Sequence, residues 1–507
     1  MSKHSSSLSR TIIVTILLAT LLVVAAHLYS IVGNDYTLTA IAQDAHDVAV
    51  AVASVSKNTT VRGELVYIYV TIENQGASTE TFNVTAYAGT MPVSMPQKVS
   101  NLPSGESRNL TFVWDTAPAL EGYHRVKATA SIVEGEIDIG DNAFVDGNVY
   151  VRFTAEIGTT DFYTSTNLPF QRKSFHAGGL HWVFYSDHAN MVYETSTDGI
   201  IWSSPTAVRE ALYGYLFSIW FDGTYVHYAY RDVTGILYRQ GSISSATIAW
   251  GPEYIVVTGN LWVPNICVDT QGIPWISYRT NNINTPLDTR PYIVKATTAD
   301  GSSWGIPKQL STQNQLWWIE PVPLNLGKIY VLYSYPQGQI YGNLWNSNSW
   351  LTTPENATSA SSVTRSFGSF ASAAKGNNIY VVYVHNFTRN IVTLNRTSSG
   401  WGTETTIVRF DPEQIEYPDL DPAPTITVDS SKGDLYVRWI RQRVYQIKYD
   451  GTLKEWDTAV TPFGQTFNSP DTRSLTSYYQ VWDSLVASTW IEGTGTPYSV
   501  TYGSEEV

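Results

Sequence analysis

From about residue 175 onward, apolar and polar positions recur in a fixed order. A turn residue leads into a short apolar run that closes on an aromatic, at 179–185, 223–230, 272–278, 327–333, 377–383, 433–439 and 484–490. After the aromatic comes a second alternating run, then a polar turn, then a Trp. Residues 191–202 end on Trp202 and residues 292–304 on Trp304, with weaker copies ending at Trp250, Trp350, Trp401 and Trp456. Period-2 alternation predicts strands, and an all-strand repeat of about 40 to 50 residues predicts a β-propeller. Seven copies of the phrase predict seven blades, with six as the alternative. The repeated phrase reads as the second strand of each blade. The last copy is followed by only one further strand-like run, at 498–502, so the strand that completes the last blade is expected from about 155–165.

Upstream, residues 46–153 alternate differently. Residues 65–74 form a clean apolar–polar run, and shorter runs follow at 82–87, 110–116 and 122–128, separated by Gly, Pro and Asn turns. Seven such strands in about 105 residues predict an immunoglobulin-like β-sandwich, and Tyr123 is placed as its corner tyrosine. Ahead of it, residues 11–32 are almost wholly apolar, preceded by Lys3 and Arg10. Residues 1–32 therefore read as a signal anchor or a signal peptide, the uncleaved anchor being favoured, and 33–45 as a stalk. The two cations place the N-terminus inside and the bulk outside the cytoplasmic membrane, or secreted if the segment is cleaved. Asn58, Asn83, Asn109, Asn356, Asn386 and Asn395 head Asn-x-Ser/Thr sequons and fit an extracellular protein.

Composition narrows the function. Only 15% of the 507 residues are charged, 13% are aromatic, and the net charge is −13. Without a basic cluster a nucleic-acid partner is excluded. Cys267 stands alone in an apolar run, which excludes an internal disulfide and favours a buried small hydrophobe. No residue spacing suggests a metal site, and no cofactor is expected. A structural Ca²⁺ is compatible with such a protein but no motif indicates one.

The phrases Ile72-Glu73-Asn74-Gln75-Gly76, Leu102-Pro103-Ser104-Gly105-Glu106, Phe112-Val113-Trp114-Asp115-Thr116 and the acidic stretch 135–142 resemble the CARDB module of bacterial and archaeal surface proteins. That resemblance implies a spacer or cell-adhesion role without catalysis. In the repeats, Ser196, Asp198, Gly199 and Trp202 match Thr298, Asp300, Gly301 and Trp304. They resemble the Asp-box of sialidase-like propellers, one residue shorter than its usual form. The resemblance implies a structural turn on the face away from the ligand. The residues following each second strand are then expected to line the ligand face.

On that face Arg231, Arg279 and Arg441 occupy near-equivalent positions in three blades. Trp317, Trp318, Tyr417 and His385 join them as candidate ligand contacts. Aromatic faces stack on sugar rings, and Arg bonds hydroxyls or acidic groups. Asp187, Asp232, Glu320, Glu416 and Glu492 are the carboxylates eligible for acid–base work, which in glycoside hydrolysis needs a facing pair. The three arginines suit a sialidase-like site, but 168–173 lacks the Phe/Tyr-Arg-Ile-Pro motif of that family. The sequence therefore favours a membrane-anchored surface protein that binds a glycan or another surface protein without catalysis. A sialidase-like glycoside hydrolase and a structural envelope component are the alternatives. Nothing in the sequence fixes the oligomeric state.

Overall fold

The computed structural model describes residues 45–507 apart from 121, 153, 167, 211–215, 282–287, 317, 336–337, 360–369, 411–422, 441–443, 464–473 and 494. The apolar segment 1–32 and the stalk lie outside the described residues. Among those described there is no α-helix, and none of their elements is a helix long and apolar enough to cross a membrane.

The first module has nine strands rather than the seven expected, because short edge strands interrupt its turns. Val48–Val55, Leu65–Asn74 and Ser107–Asp115 form one sheet in that order. The second sheet runs Thr59–Val61, Ala143–Arg152, Gly122–Ala130, Glu80–Ala88 and Met91–Pro92, with Gln97–Leu102 also on Glu80–Ala88. The alternation in sequence is the alternation in burial. Val66, Ile68, Val70 and Ile72 are buried while Leu65, Tyr67 and Tyr69 are exposed, since successive strand side chains point to opposite faces. Tyr123 is 76% exposed, and its ring meets that of Tyr150 at 4.9 Å, inclined by 56°. Five of the sequon asparagines are exposed and Asn386 is half-buried.

The second module is a succession of seven antiparallel sheets, each with four or five strands. Their first strands are Ser174–Ala177, Phe217–Phe221, Leu261–Val268, Trp318–Pro323, Phe370–Lys375, Thr425–Val428 and Thr476–Ser477. Their second strands are Leu180–Ser186, Tyr225–Arg231, Pro274–Thr280, Ile329–Tyr335, Asn378–Val384, Leu435–Ile440 and Leu485–Glu492, which are the seven repeated phrases. From the second sheet to the seventh, first strands of consecutive sheets pack on one another, and the first sheet packs on the seventh. The seventh sheet is completed by Thr154–Thr160, which pairs antiparallel with Tyr498–Glu506, so the start of the module joins its end. Closure leaves no long unpaired edge there.

From that outer strand the chain must return to the centre to begin the first sheet. It does so through 165–173, and almost all of this stretch is buried. Gln171 donates to Pro264 O, Asn265 to Phe170 O, Thr425 to Pro169 O, Thr476 to Gln171 O and Thr166 to Ser474 O. Phe170 stacks on Phe370 and meets Trp318 at a tilt. These partners stand on or beside the first strands of the third to seventh sheets, several at the strand beginnings. The described residues of the stretch are therefore tied to five of the seven sheets.

The polar turns after the third strands hold as local hydrogen-bond demand requires. Asp198 Oδ1 accepts from Ser196 Oγ and from the N–H groups of Ile200 and Ile201. Asp300 Oδ1 accepts from Ser302 N–H and Oγ. The glycine between carboxylate and Trp has φ of 74° at Gly199 and 68° at Gly301, a region that favours glycine. Trp202 then meets Tyr502 edge-on, and Trp304 meets Tyr238, each an aromatic of the preceding sheet.

Candidate functional site

The central channel keeps one open mouth. A cavity of about 290 Å³ opens where the first strands of the second to fifth and the seventh sheets end and their hairpins to the second strands begin. Trp220, Phe221, Tyr479 and Trp482 form its half-buried aromatic wall. Trp220 meets Tyr479 at 4.5 Å and Phe221 meets Trp482 at 5.3 Å, with ring planes inclined at 52° and 51°. Asp222, Asp269, Asn325 and Gln480 give the mouth its polar groups, and Arg172 lies at the inner end.

Arg172 is a spoke point for the ring. Its Nη1 donates to Thr425 Oγ1 and Ser477 Oγ at 3.1 Å each, and its Nη2 to Ser372 O at 2.6 Å. The Tyr479 ring caps the guanidinium at 5.4 Å. Glu320 Oε1 is 3.9 Å away, on the first strand of the fourth sheet. Burial pushes the Glu320 carboxyl up to about 8, against the lowering influence of Arg172 and Ser372. Burial likewise lowers Arg172, opposed by Glu320 and Tyr479. Burial thus favours the neutral form of both groups, and their attraction opposes it.

The rim carboxylates serve their own hairpins. Asp222 accepts from the N–H groups of Thr224 and Tyr225, and its other oxygen meets His227 Nε2 at 3.0 Å. Asp269 accepts from the N–H groups of Gln271 and Ile273 and from Trp275 Nε1. This hairpin carboxylate is a second repeat in the sequence, just before the turn glycine. Its spacing was the signal for the rim, and reading the aromatics alone passes over it.

The candidates drawn from the opposite face are placed as follows. Arg231 and Arg279 come together around Trp262, their guanidinium carbons 4.8 and 5.8 Å from its ring, and Arg279 also stands 5.8 Å from Trp318. Arg231 donates to Asn260 and Arg279 to Leu316 O. Asp187 accepts from Asn190 N–H, and Asp232 from Thr234 and Gly235 N–H. Glu492 accepts from Trp490 Nε1, and His385 Nδ1 accepts from Phe387 and Thr388 N–H. These four belong to tight turns or strand ends. Glu320 sits in the channel rather than on the loop face, because it points inward from a first strand. Trp317, Glu416, Tyr417 and Arg441 lie outside the described residues. The cavity described above opens on the hairpin side, which also carries the Asp198 and Asp300 turns. Among the described residues no group of three or more His, Cys, Asp or Glu side chains could hold a metal ion.

Comparison with known proteins places these modules. The CARDB family profile matches residues 45–137. Among solved structures the chain is similar to a CARDB domain of Pyrococcus furiosus solved with di-metal ions, at 23% identity, covering 21% of this chain and 94% of that one, with a TM-score of 0.19. It is also similar to the polysaccharide lyase Uly1, at 10% identity over 69% of this chain and 97% of that one, with a TM-score of 0.45. A third likeness is to the Aleuria aurantia lectin in complex with Fucα1-6GlcNAc, at 13% identity over 60% of this chain and 100% of that one, with a TM-score of 0.39. No curated protein sequence matches the chain. The resemblance carried by the phrases at 72–76, 102–106 and 112–116 is thus borne out: residues 45–137 are a CARDB domain, and a β-propeller follows it.

Proposed function

We propose that this is an extracellular surface protein, anchored through residues 1–32, whose CARDB domain carries a propeller that binds a glycan without cleaving it. The observation that carries the reading is the central cavity. Two Trp, a Phe and a Tyr line one mouth together with amide and carboxylate groups, the combination that stacks on a sugar ring and bonds its hydroxyls. Its size suits one or two sugar residues rather than a protein loop. Binding is favoured over hydrolysis because the carboxylates at the mouth, Asp222 and Asp269, accept from their own hairpins and meet His227 and Trp275, Asp187, Asp232 and Glu492 accept from N–H groups of their own turns and strands, and Glu320 is buried beside Arg172.

The test is a glycan array probed with the detergent-solubilised full chain, reading both retained protein and the mass of each spot's glycan. Retention with unchanged glycans is expected, and it should fall at least tenfold for Trp482→Ala. Glycans shortened by a sugar would replace the reading with a hydrolase. Absence of retention would remove it.

A further inference from the structure

One seam of the propeller is made only by the meeting of its first sheet with its seventh, where the start of the module joins its end. Two other seams are tied by charges. Between the fourth and fifth sheets Arg396 Nε and Nη2 each donate to Glu355 at 2.7 Å, and between the sixth and seventh Arg438 pairs with Glu505 at 3.5 Å. At the closing seam the first sheet presents His181, Tyr185 and Glu194. His181 pairs in register with Ser196, Val183 with Glu194 and Tyr185 with Val192, so these side chains share one face. Glu194 is 2% exposed, and Tyr185 donates its hydroxyl to Glu194 Oε1.

The closing strand Thr154–Thr160 lies over this pair. Its register on Tyr498–Glu506 shifts between Glu156 and Gly158. At Gly158 a Cβ would stand 2.3 Å from the Tyr185 hydroxyl and 3.0 Å from Glu194 Oε1. A residue without a side chain is therefore what lets the strand seat on the pair. Ile157, Ile491, Val500 and Tyr502 complete an apolar cluster with Tyr185.

The groups around Glu194 leave a carboxylate there without a counter-charge. Asp187 faces Tyr185, and Asp198 faces His181. On the neighbouring fourth strand, Arg209 is engaged with Asp232 and Glu253 of the second sheet. From the seventh sheet, the Tyr478 and Tyr502 hydroxyls bond each other at 2.7 Å and meet His181 Nδ1 at 3.2 and 2.7 Å. Burial pushes these two phenols up, as it does Tyr185. Burial and the neighbouring His176 lower His181 to about 4. Towards the edges of the seam, His176 meets Asp483, His188 meets Asp161, and Glu156 accepts from Ser499. Burial raises Glu194 itself to about 7, opposed by the Tyr185 hydrogen bond.

We propose that this seam is a pH-gated clasp: Thr154–Thr160 seats fully on the protonated Glu194 and its Tyr185 partner, and loss of that proton lets the strand lift. The clasp operates whatever the cavity binds. An ionised Glu194 is solvated only where the strand has lifted away. The covered carboxyl titrates at about 7 and the solvated one at 4.5, so lifting becomes about tenfold easier between pH 6 and 8.5.

The experiment follows amide deuterium exchange in the detergent-solubilised full chain and in Glu194→Gln, read by mass spectrometry on peptides spanning Thr154–Thr160 and Tyr498–Glu506. Comparing both proteins at one pH cancels the intrinsic exchange rate. The parent-to-variant ratio of rates in these segments should rise about tenfold from pH 6 to 8.5, and stay within about twofold in Phe370–Lys375 of the fifth sheet. Gly158→Ala should speed exchange of both segments at either pH, because its methyl group would meet the Tyr185 hydroxyl. If Glu194→Gln does not fold, the parent's own ratio of seam exchange to Phe370–Lys375 exchange should show the same tenfold rise. A ratio that does not change with pH would overturn the clasp. So would an equal rise in Phe370–Lys375, which would mean that the whole propeller loosens, or unchanged exchange in Gly158→Ala.

Discussion

Replacing Glu320 by Gln tests the account of the channel through stability alone. In the folded protein the carboxyl is fully buried and held at about 8, against 4.5 when solvated in the unfolded chain. The folded state therefore keeps a proton that the unfolded state has released. Between those two pH values every rise in pH favours unfolding. Three and a half decades of proton activity, at about 1.4 kcal/mol each, set the total near 5 kcal/mol. The contribution is fully present below pH 4.5 and is lost as pH rises through 8. Glutamine keeps the shape and never ionises, so the variant loses this slope. At pH 5 the two proteins should unfold at similar urea concentrations. By pH 8.5 the variant should be the more stable by several kcal/mol. Intrinsic fluorescence reports the right module, since every Trp except Trp114 lies in the propeller segment. Other groups titrate in the same range. Burial pushes Glu194 up to about 7, with the same sign, and His181 down to about 4, with the opposite sign. Both are common to the two proteins and cancel in the difference. A gap between variant and parent that stays constant within about 1 kcal/mol from pH 5 to 8.5 would refute the reasoning.

Further outcomes follow from the same contacts. Deleting Thr154–Thr160 strips the outer strand from Tyr498–Glu506, and should lower the propeller's melting temperature by roughly 5 °C or more and produce association on size-exclusion chromatography; unchanged melting would mean that the ring closes by other contacts. Asp198→Ala removes the acceptor for Ser196, Ile200 and Ile201 and should cost about 1–2 kcal/mol in urea unfolding while glycan retention is unchanged. Cys267 is buried and its thiol is pushed well up, so it should resist a thiol reagent in the native protein and react once in denaturant; rapid native labelling would contradict its placement.

How much of this was legible in the chain depends on the range of the interactions involved. The seven second strands could be read because turn glycine, alternating apolar run and closing aromatic are local signals, and Leu180–Ser186 or Ile329–Tyr335 satisfies them without help from distant residues. The Asp198 and Asp300 turns were equally readable, since the carboxylate bonds N–H groups within three residues of itself. Ring closure by Thr154–Thr160 could be inferred from a shortage, because the last copy of the repeat lacks a strand. The cavity was harder. Its inner end is made by Arg172, whose partners Ser372, Thr425 and Ser477 lie 200 to 305 positions away, and no local pattern records such a meeting. The stretch 168–173 carries no local pattern that marks it. Its importance comes from topology instead: a chain that starts on the rim of the last sheet has to cross to the centre before the first sheet can begin. Its contacts were beyond sequence reading for the same reason as those of Arg172: Gln171 meets Pro264 and Thr476, and Pro169 meets Thr425, across 93 to 305 positions of chain, and only the closing of the ring brings such residues together.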